Sequence, residues 1–371
     1  MAIDKVVSAS IADDAVTSDK VASGVVPNQS AFKNIIINGD MRVAQRTTSA
    51  SGVTTADGYK AVDRFKTQTD TGTWTISQST DVPTGQGFIN SLKLDCTSAG
   101  TSNADEVGIR INNEGTFVQH LKYGTSSAES LTLSFWIKTN KTGTYVFSIY
   151  ANDGARYVSK TYTVNQANSW EYKTITIEGD TAGTINNDNG DGFRLWWWLG
   201  SGTNFSGGTM QPGVWRSWGS DQNGATPGLS VNMADSTSNE WFITGVQLEV
   251  GRNATDFEHR SYGEELALCQ RYFFKLSNSR LIMGYKRHDG SANFPVNTPV
   301  SMRVAPTPSL STSGTFSNFQ SSFSTTQSSP NVYEWSDTGN RFIFQVQSTW
   351  SSTHTYVPAW ESFTAEFNSE L

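Results

Sequence analysis

Cysteine is nearly missing from this 371-residue chain, and its two cysteines, Cys96 and Cys269, cannot make a disulfide framework or a four-ligand zinc site by themselves. They fall in stretches that read as strand and helix, so two buried thiols are expected. Histidine is also scarce. His120, His259, His288 and His354 are scattered, and none forms a metal-binding pair at helical spacing. There is no Gly-x-Ser-x-Gly elbow and no phosphate-cradling glycine loop. Basic residues are outnumbered, 27 against 34 acidic ones, for a net charge of -7. Without a Lys/Arg cluster the chain has no surface for tracking a phosphate backbone, which excludes nucleic acid as a partner. Nowhere do about 18 apolar residues run together, which excludes membrane insertion by a helix. The first residues lack a basic and then apolar leader, so a soluble product made in a cytoplasm is expected. No repeat of about 20 to 50 residues is visible, which removes the long β-solenoid.

What is present is the text of short strands. Gly, Ser, Thr and Asn abound and only 16% of residues are charged, a composition of strands joined by polar turns. Leu131, Leu133, Phe135 and Ile137 alternate with Thr132, Ser134, Trp136 and Lys138, as a strand does when one face lies on a core. Asn140-Lys141-Thr142-Gly143 supplies a turn and Tyr145, Phe147 and Ile149 resume the alternation, so the two read as a hairpin. The theme recurs at Tyr172 to Ile177, Phe193 to Leu199 and Trp241 to Val250. Many short antiparallel strands with glycine-rich turns predict a β-sandwich or jelly roll.

One helix is expected. Ser261-x-x-Glu264 is a capping box, and Leu266, Cys269, Tyr272 and Phe273 follow at helical spacing. Beyond it the text is β-like again, rich in Ser, Thr and aromatics and broken at Pro295, Pro299, Pro306, Pro308, Pro330 and Pro358. The expected organisation is mainly β: an extended N-terminal arm over 1–30, a jelly-roll domain over 31–258, a short linking helix over 259–275, and a second, smaller C-terminal β domain over 276–371.

The arm carries an unusual period. Val6, Ile11, Val16, Val21 and Val26 recur at every fifth position. A helix smears such residues around its circumference and a strand sends alternate ones to opposite faces. Two readings stay open: identical chains winding together around a shared axial core, or an acidic, polar arm without a fold of its own. Either way it reads as an attachment element.

Two stretches point to a family. Asn34-Ile-Ile-Ile-Asn-Gly-Asp-Met-Arg-Val-Ala-Gln-Arg46, followed by Tyr59-Lys-Ala-Val-Asp-Arg-Phe65, resembles the opening of bacteriophage tail-fibre proteins, especially those of phages of marine bacteria. Thr244-Gly-Val-Gln-Leu-Glu-Val-Gly251, running through Phe257 to Ser261 into Glu264-Glu-Leu266 and Cys269-Gln-Arg-Tyr272, is similar to their other hallmark. The resemblance spans roughly Asn34 to Phe274. It implies a carbohydrate-binding-module-like jelly roll in a virion-attached fibre, usually a homotrimer. The last hundred residues, with Met302-Arg-Val-Ala-Pro-Thr307, are like the variable tip of such proteins in composition.

Trp196-Trp197-Trp198 is the sharpest candidate site. In a strand Trp196 and Trp198 share a face, so they could present an aromatic platform for sugar rings, extended by Trp215 and Trp218 on either side of Arg216. The opposing reading is that these indoles seal the sandwich or a subunit interface. Trp136 and Trp170 are expected in the core. The oxygen-rich run Asn187 to Gly192, with Asp188 and Asp191, suggests a structural calcium. Yet Asn187 stands at the first position and Trp198 at the twelfth, where an EF-hand needs a bidentate Glu, so a polar turn fits better. Asp105, Glu106, Asp188 and Glu240 are acids without a distinguishing pattern, and Glu264-Glu265 belongs to a helix start, where negative charge is favoured.

The function expected from all this is a structural virion protein and not an enzyme: a tail fibre attached by its arm to the phage tail or another virion protein, and adhering to host surface polysaccharide. A capsid decoration protein is the alternative, and a glycan-degrading tailspike ranks below both.

Overall fold

The computed structural model describes residues 32–54, 58–100, 106–276, 282–286, 291–310, 315–318, 321–323, 331–334, 341–347, 359–361 and 364–371. Val6, Ile11, Val16, Val21 and Val26, and Asp105 among the candidate acids, lie outside the described residues.

The period-2 pattern of the sequence becomes two facing antiparallel sheets. Sheet A runs in the order β1 (Ser49–Val53), β4 (Thr73–Ser79), β5 (Ser91–Ser98), β13 (Glu240–Val250), β7 (Leu131–Thr139) and β10 (Glu171–Ile177). Sheet B runs β12 (Arg216–Ser217), β9 (Arg156–Val164), β8 (Gly143–Ala151), β11 (Asp191–Ser201), β6 (Glu106–Glu114), β3 (Lys66–Thr69) and β2 (Gly58–Tyr59). Between them lies one apolar core. Leu131, Leu133, Phe135 and Ile137 of β7 meet Tyr145, Phe147 and Ile149 of β8 and Leu195 and Trp197 of β11 there. The rings lock edge to face, with the Phe135 and Trp197 centroids 5.9 Å apart at 88° and Phe135 and Tyr162 5.2 Å apart at 84°. This is the antiparallel sandwich expected.

The expected β7–β8 hairpin does not form. β7 pairs with β10 and β13 in sheet A, whereas β8 pairs with β9 and β11 in sheet B. Both strands turn their apolar parity to the same core from opposite layers, a pattern that alternation alone cannot tell from a hairpin. The intervening turn is a corner between sheets, tied down by Glu240 N–H donating to Asn140 Oδ1 at 2.9 Å.

The helix is shorter than the 259–275 expected, covering Tyr262–Gln270, and both arms of the Ser261/Glu264 capping box are made. Phe273 is not its last turn but opens a strand, Phe273–Leu276. The strand Ala365–Asn368 pairs with that strand on one side and with Thr307–Leu310 on the other. Cys269 and Tyr272 bury with Ile37 and Val43, and Cys96 is buried in the sandwich core, both thiols free.

The two hallmark stretches meet at this junction. Asn34 Oδ1 accepts from Leu248 N–H and its Nδ2 donates to Val246 O at 3.1 Å each, while Ile35 N–H bonds Leu248 O at 2.9 Å. Asn38, in the left-handed region at φ 62°, closes a loop by donating from Nδ2 to Val43 O and Asp63 O. Glu265 of the helix accepts from Asn38 N–H at 2.5 Å. Arg260 donates to the carbonyls of Asn34 and Ile36 and pairs with Glu258 at 3.4 Å and Glu265 at 3.5 Å. Gly39 is required by space, since a Cβ there would lie 2.1 Å from Val246 O. These residues are a buried polar weld between the start of the described chain, β13 and the helix.

Candidate functional site

The sequence-derived platform is buried. Trp196 and Trp198 do share the outer face of sheet B, stacked at 3.9 Å and 13°, but they are only 4% and 0% exposed. The excursion over residues 202–239 folds back across them, laying Phe205, Met210, Trp218 and Leu229 on their rings. Trp198 Nε1 donates to Ser148 Oγ at 3.0 Å. Trp218 is half-buried, edge-on to Tyr150 and Tyr157, and Trp215 is held by a 2.7 Å bond from its Nε1 to Glu178 O. The reading of these four indoles as an open sugar platform is therefore corrected. Their strand parity was right, and the cover comes from a loop whose path the sequence does not spell out.

Asp188 and Asp191 do not converge either. Asp188 Oδ1 accepts from Gly190 N–H at 2.8 Å, as in a polar turn, and Asp191 Oδ2 accepts from Arg194 Nε at 2.6 Å. The neighbouring Asn189 exchanges bonds with Arg303, Nδ2 to O at 3.1 Å and Nη1 to O at 2.5 Å. The loop thus docks onto the Met302 to Thr307 stretch. No group of three or more His, Cys, Asp or Glu suited to a metal occurs among the described residues. Glu240 pairs with Lys93 at 2.6 Å.

An open aromatic surface lies instead on the outer face of sheet A. Trp136 has the parity of Ser134 and Lys138, opposite to Phe135, and is half-buried, not in the core as expected. Its cross-strand partner is Tyr172 of β10, 44% exposed, with ring centroids 5.3 Å apart. On the other side Gly245, at φ 62° in a bulge of β13, brings two rings against bare backbone, since a Cβ would lie 2.6 Å from Phe88 and 3.1 Å from Trp136. Phe88 closes a trio with Phe257 at 5.1 Å and His259 at 5.5 Å. Trp170 is half-buried as well, held by its Nε1 donating to Asp81 Oδ1 at 3.0 Å, with Phe242 6.3 Å away.

Trp136, Tyr172, Phe88, Phe257 and His259 border a cleft of about 1420 Å³. Its walls carry hydrogen-bonding groups of short reach, among them Gln86, Ser134, Thr174, Glu249 and Asp256. Glu249 accepts from Thr255 N–H at 2.8 Å and Thr255 Oγ1 at 2.7 Å. Burial pushes the Tyr172 hydroxyl above its ordinary pKa, and the nearby Glu249 and Asp256 carboxylates add to the rise. An apolar floor with a few polar groups converging on it is the usual build of a small-molecule or oligomer site.

No protein-family model and no curated protein matches the chain. Among solved structures it is similar to the enzymatically active domain of bacteriophage CBA120 tailspike protein 4, at 14% identity and TM-score 0.32. That match covers 60% of this chain and 22% of the tailspike chain, so it spans under a quarter of that protein's length. It is also similar to a putative sugar binding protein from Bacteroides thetaiotaomicron, at 12% identity and TM-score 0.31, covering 59% of this chain and 100% of that one. The CBM22-1 xylan-binding domain of Paenibacillus barcinonensis Xyn10C matches at 10% identity and TM-score 0.28, over 61% and 100%. Likenesses this distant carry no inference about a ligand.

Proposed function

We propose that the chain is an adhesion protein that holds polysaccharide in the cleft on sheet A, and that it serves as a tail-fibre subunit of a bacteriophage particle. The observation that carries the binding reading is the Trp136–Tyr172 pair at the edge of a cleft floored by Phe88 and Phe257. Pyranose rings have apolar C–H faces that stack on aromatic rings, and their hydroxyls meet the short polar groups of the walls. Of the two acids that line the cleft, Glu249 and Asp256, Glu249 is held by Thr255 and Gln247, and the reading is of binding without turnover.

The resemblance of Asn34 to Arg46 and of Thr244 to Tyr272 to tail-fibre hallmarks supports the virion role. A homotrimer attached through residues 1–30 is part of the same proposal. Three copies turn later binding events into local ones and raise avidity by about 10² to 10⁴, so each cleft needs only weak affinity. The test is adhesion of labelled full-length chain to host cells, with its solution mass by light scattering. The reading expects a species of three times the chain mass whose adhesion is lost in Trp136→Ala/Tyr172→Ala. Undiminished adhesion by the double variant would overturn the cleft, and a monomer would overturn the fibre.

A further inference from the structure

The cleft is larger than the Trp136–Tyr172 pair uses. At about 1420 Å³ it exceeds the roughly 300 to 1000 Å³ of a site built for one small molecule. Along β7 and β10 the outer face of sheet A changes character in steps of two residues, about 7 Å each. Trp136 faces Tyr172, then Ser134 faces Thr174, and then Thr132 and Thr176 bring their Oγ1 atoms to 3.2 Å. The last pair is fastened to a turn, with Thr132 Oγ1 donating to Gly251 O at 2.8 Å and Thr176 Oγ1 to Arg252 O at 3.2 Å.

Past residues 251–254, which line it, the same cleft reaches a second group of side chains, Phe117, His120 and Asn113. Phe117 and His120 stand three apart in the 3-10 helix Gly115–Leu121, a spacing that aligns side chains on one side of such a helix. Both are exposed, Phe117 at 42%. The helix is pinned between them, since Gln119 Nε2 donates to Gly115 O at 2.9 Å, Ile185 O at 3.2 Å and Asn186 O at 3.0 Å. The Phe117 ring is held as well: the Arg271 guanidinium lies 5.7 Å from its centre, and Arg271 is itself fixed by two bonds to Glu114. Asn113 is 4% exposed, and its Nδ2 has no hydrogen-bond partner among the described residues. A buried amide in that state is an exception that calls for an acceptor. A sugar hydroxyl, which both donates and accepts, meets an amide in either orientation.

Resting on the reading of this cleft as a glycan site, we infer that it has two aromatic subsites, Trp136–Tyr172 and Phe117–His120, and that its ligand is an internal stretch of a linear polysaccharide lying across both. Ser134 and Thr174 meet hydroxyls on the way. Rings on fixed supports at both ends favour a chain over a single terminal sugar, because a sugar at the second subsite adds contact without having to order the ring that receives it. The experiment measures, by calorimetry on full-length protein, the affinity of xylo-, manno-, cello- and mixed-linkage gluco-oligosaccharides from disaccharide to octasaccharide, together with their parent polymers. Phe117→Ala/His120→Ala and Trp136→Ala/Tyr172→Ala are run beside it, each with its thermal transition recorded.

The inference expects affinity within a series that binds to rise about tenfold or more from trisaccharide to hexasaccharide. Phe117→Ala/His120→Ala should remove that rise and leave the trisaccharide within about twofold of the unsubstituted protein. Trp136→Ala/Tyr172→Ala should lose short and long oligomers alike. Hexasaccharide affinity left intact in Phe117→Ala/His120→Ala, or lowered there no more than that of the trisaccharide, would overturn the inference and leave the Trp136–Tyr172 site standing. Binding of no oligosaccharide and no polymer would count against the glycan site itself, and the inference would fall with it.

Discussion

Trp136 and Trp196 obey the same rule of alternation and meet different surroundings. Each sits on the outer face of its sheet, opposite a core ring, Phe135 in one case and Trp197 in the other. What separates them is cover: residues 202–239 lie over Trp196 and Trp198, while among the described residues no such excursion lies over Trp136 and Tyr172. Substitution therefore has opposite readouts. Trp196→Ala and Trp198→Ala remove packed indoles and are expected to cost about 3 to 5 kcal/mol each, seen as a lower Tm, with affinity retained in the protein that folds. A Tm within about 2 °C of the unsubstituted protein would mean that the loop does not seal these rings in solution. The parity of Trp136 was legible in the text of β7, where it shares a face with Ser134 and Lys138. The contributions of Phe88, Phe257 and His259 were not legible, because they come from turns whose meeting depends on the bulge at Gly245.

At the scale of elements, strands, the capped helix and the sandwich class were readable because alternation and capping chemistry are local. The pairing of β7 and β8 was not, since core-facing parity is the same in either sheet. The physical content of the stretches Asn34 to Arg46 and Thr244 to Tyr272 is the weld of Asn34, Asn38, Asp63, Arg260 and Glu265. This weld has a pH signature. Burial pushes the Asp63 carboxyl up to about 6, against the stabilising bonds from Gln45 and the charge of Arg46, and burial raises Glu265 as well. A carboxyl raised in the folded state contributes stability that is present below its unfolded pKa of about 4 and lost as pH rises through the folded value. Asp81, Glu171 and Asp235 are shifted the other way by lysine and other hydrogen-bond donors, and their contribution is lost as pH falls below about 4. Thermal unfolding across pH is thus expected to give a Tm that rises from pH 7 to about 5 and drops below about 4. A Tm that falls steadily from pH 7 downward would contradict the buried state of Asp63.

At the scale of the whole molecule, the chain's last residues return to the sandwich. Arg64, 1% exposed, bonds Glu370 and Asn112 O and lies 3.4 Å over the Tyr272 ring, and Arg46 reaches Glu370 at 3.4 Å. Arg303 donates to the carbonyls of Ser369 and Glu370 and to Asn189, so the C-terminal strands are fastened to the loop before β11. Glu370→Ala leaves a buried guanidinium without its anion and is expected to cost about 3 to 5 kcal/mol, with calorimetry showing an earlier transition. An unchanged transition would mean that this contact adds nothing to the joint. The most direct test is the affinity of purified full-length protein for a polysaccharide it binds, set against Trp136→Ala, Tyr172→Ala and Trp196→Phe. The account predicts a loss of about tenfold or more for each of the first two, at unchanged Tm, and none for the third. Full affinity in Trp136→Ala and Tyr172→Ala would place the binding surface elsewhere and contradict it.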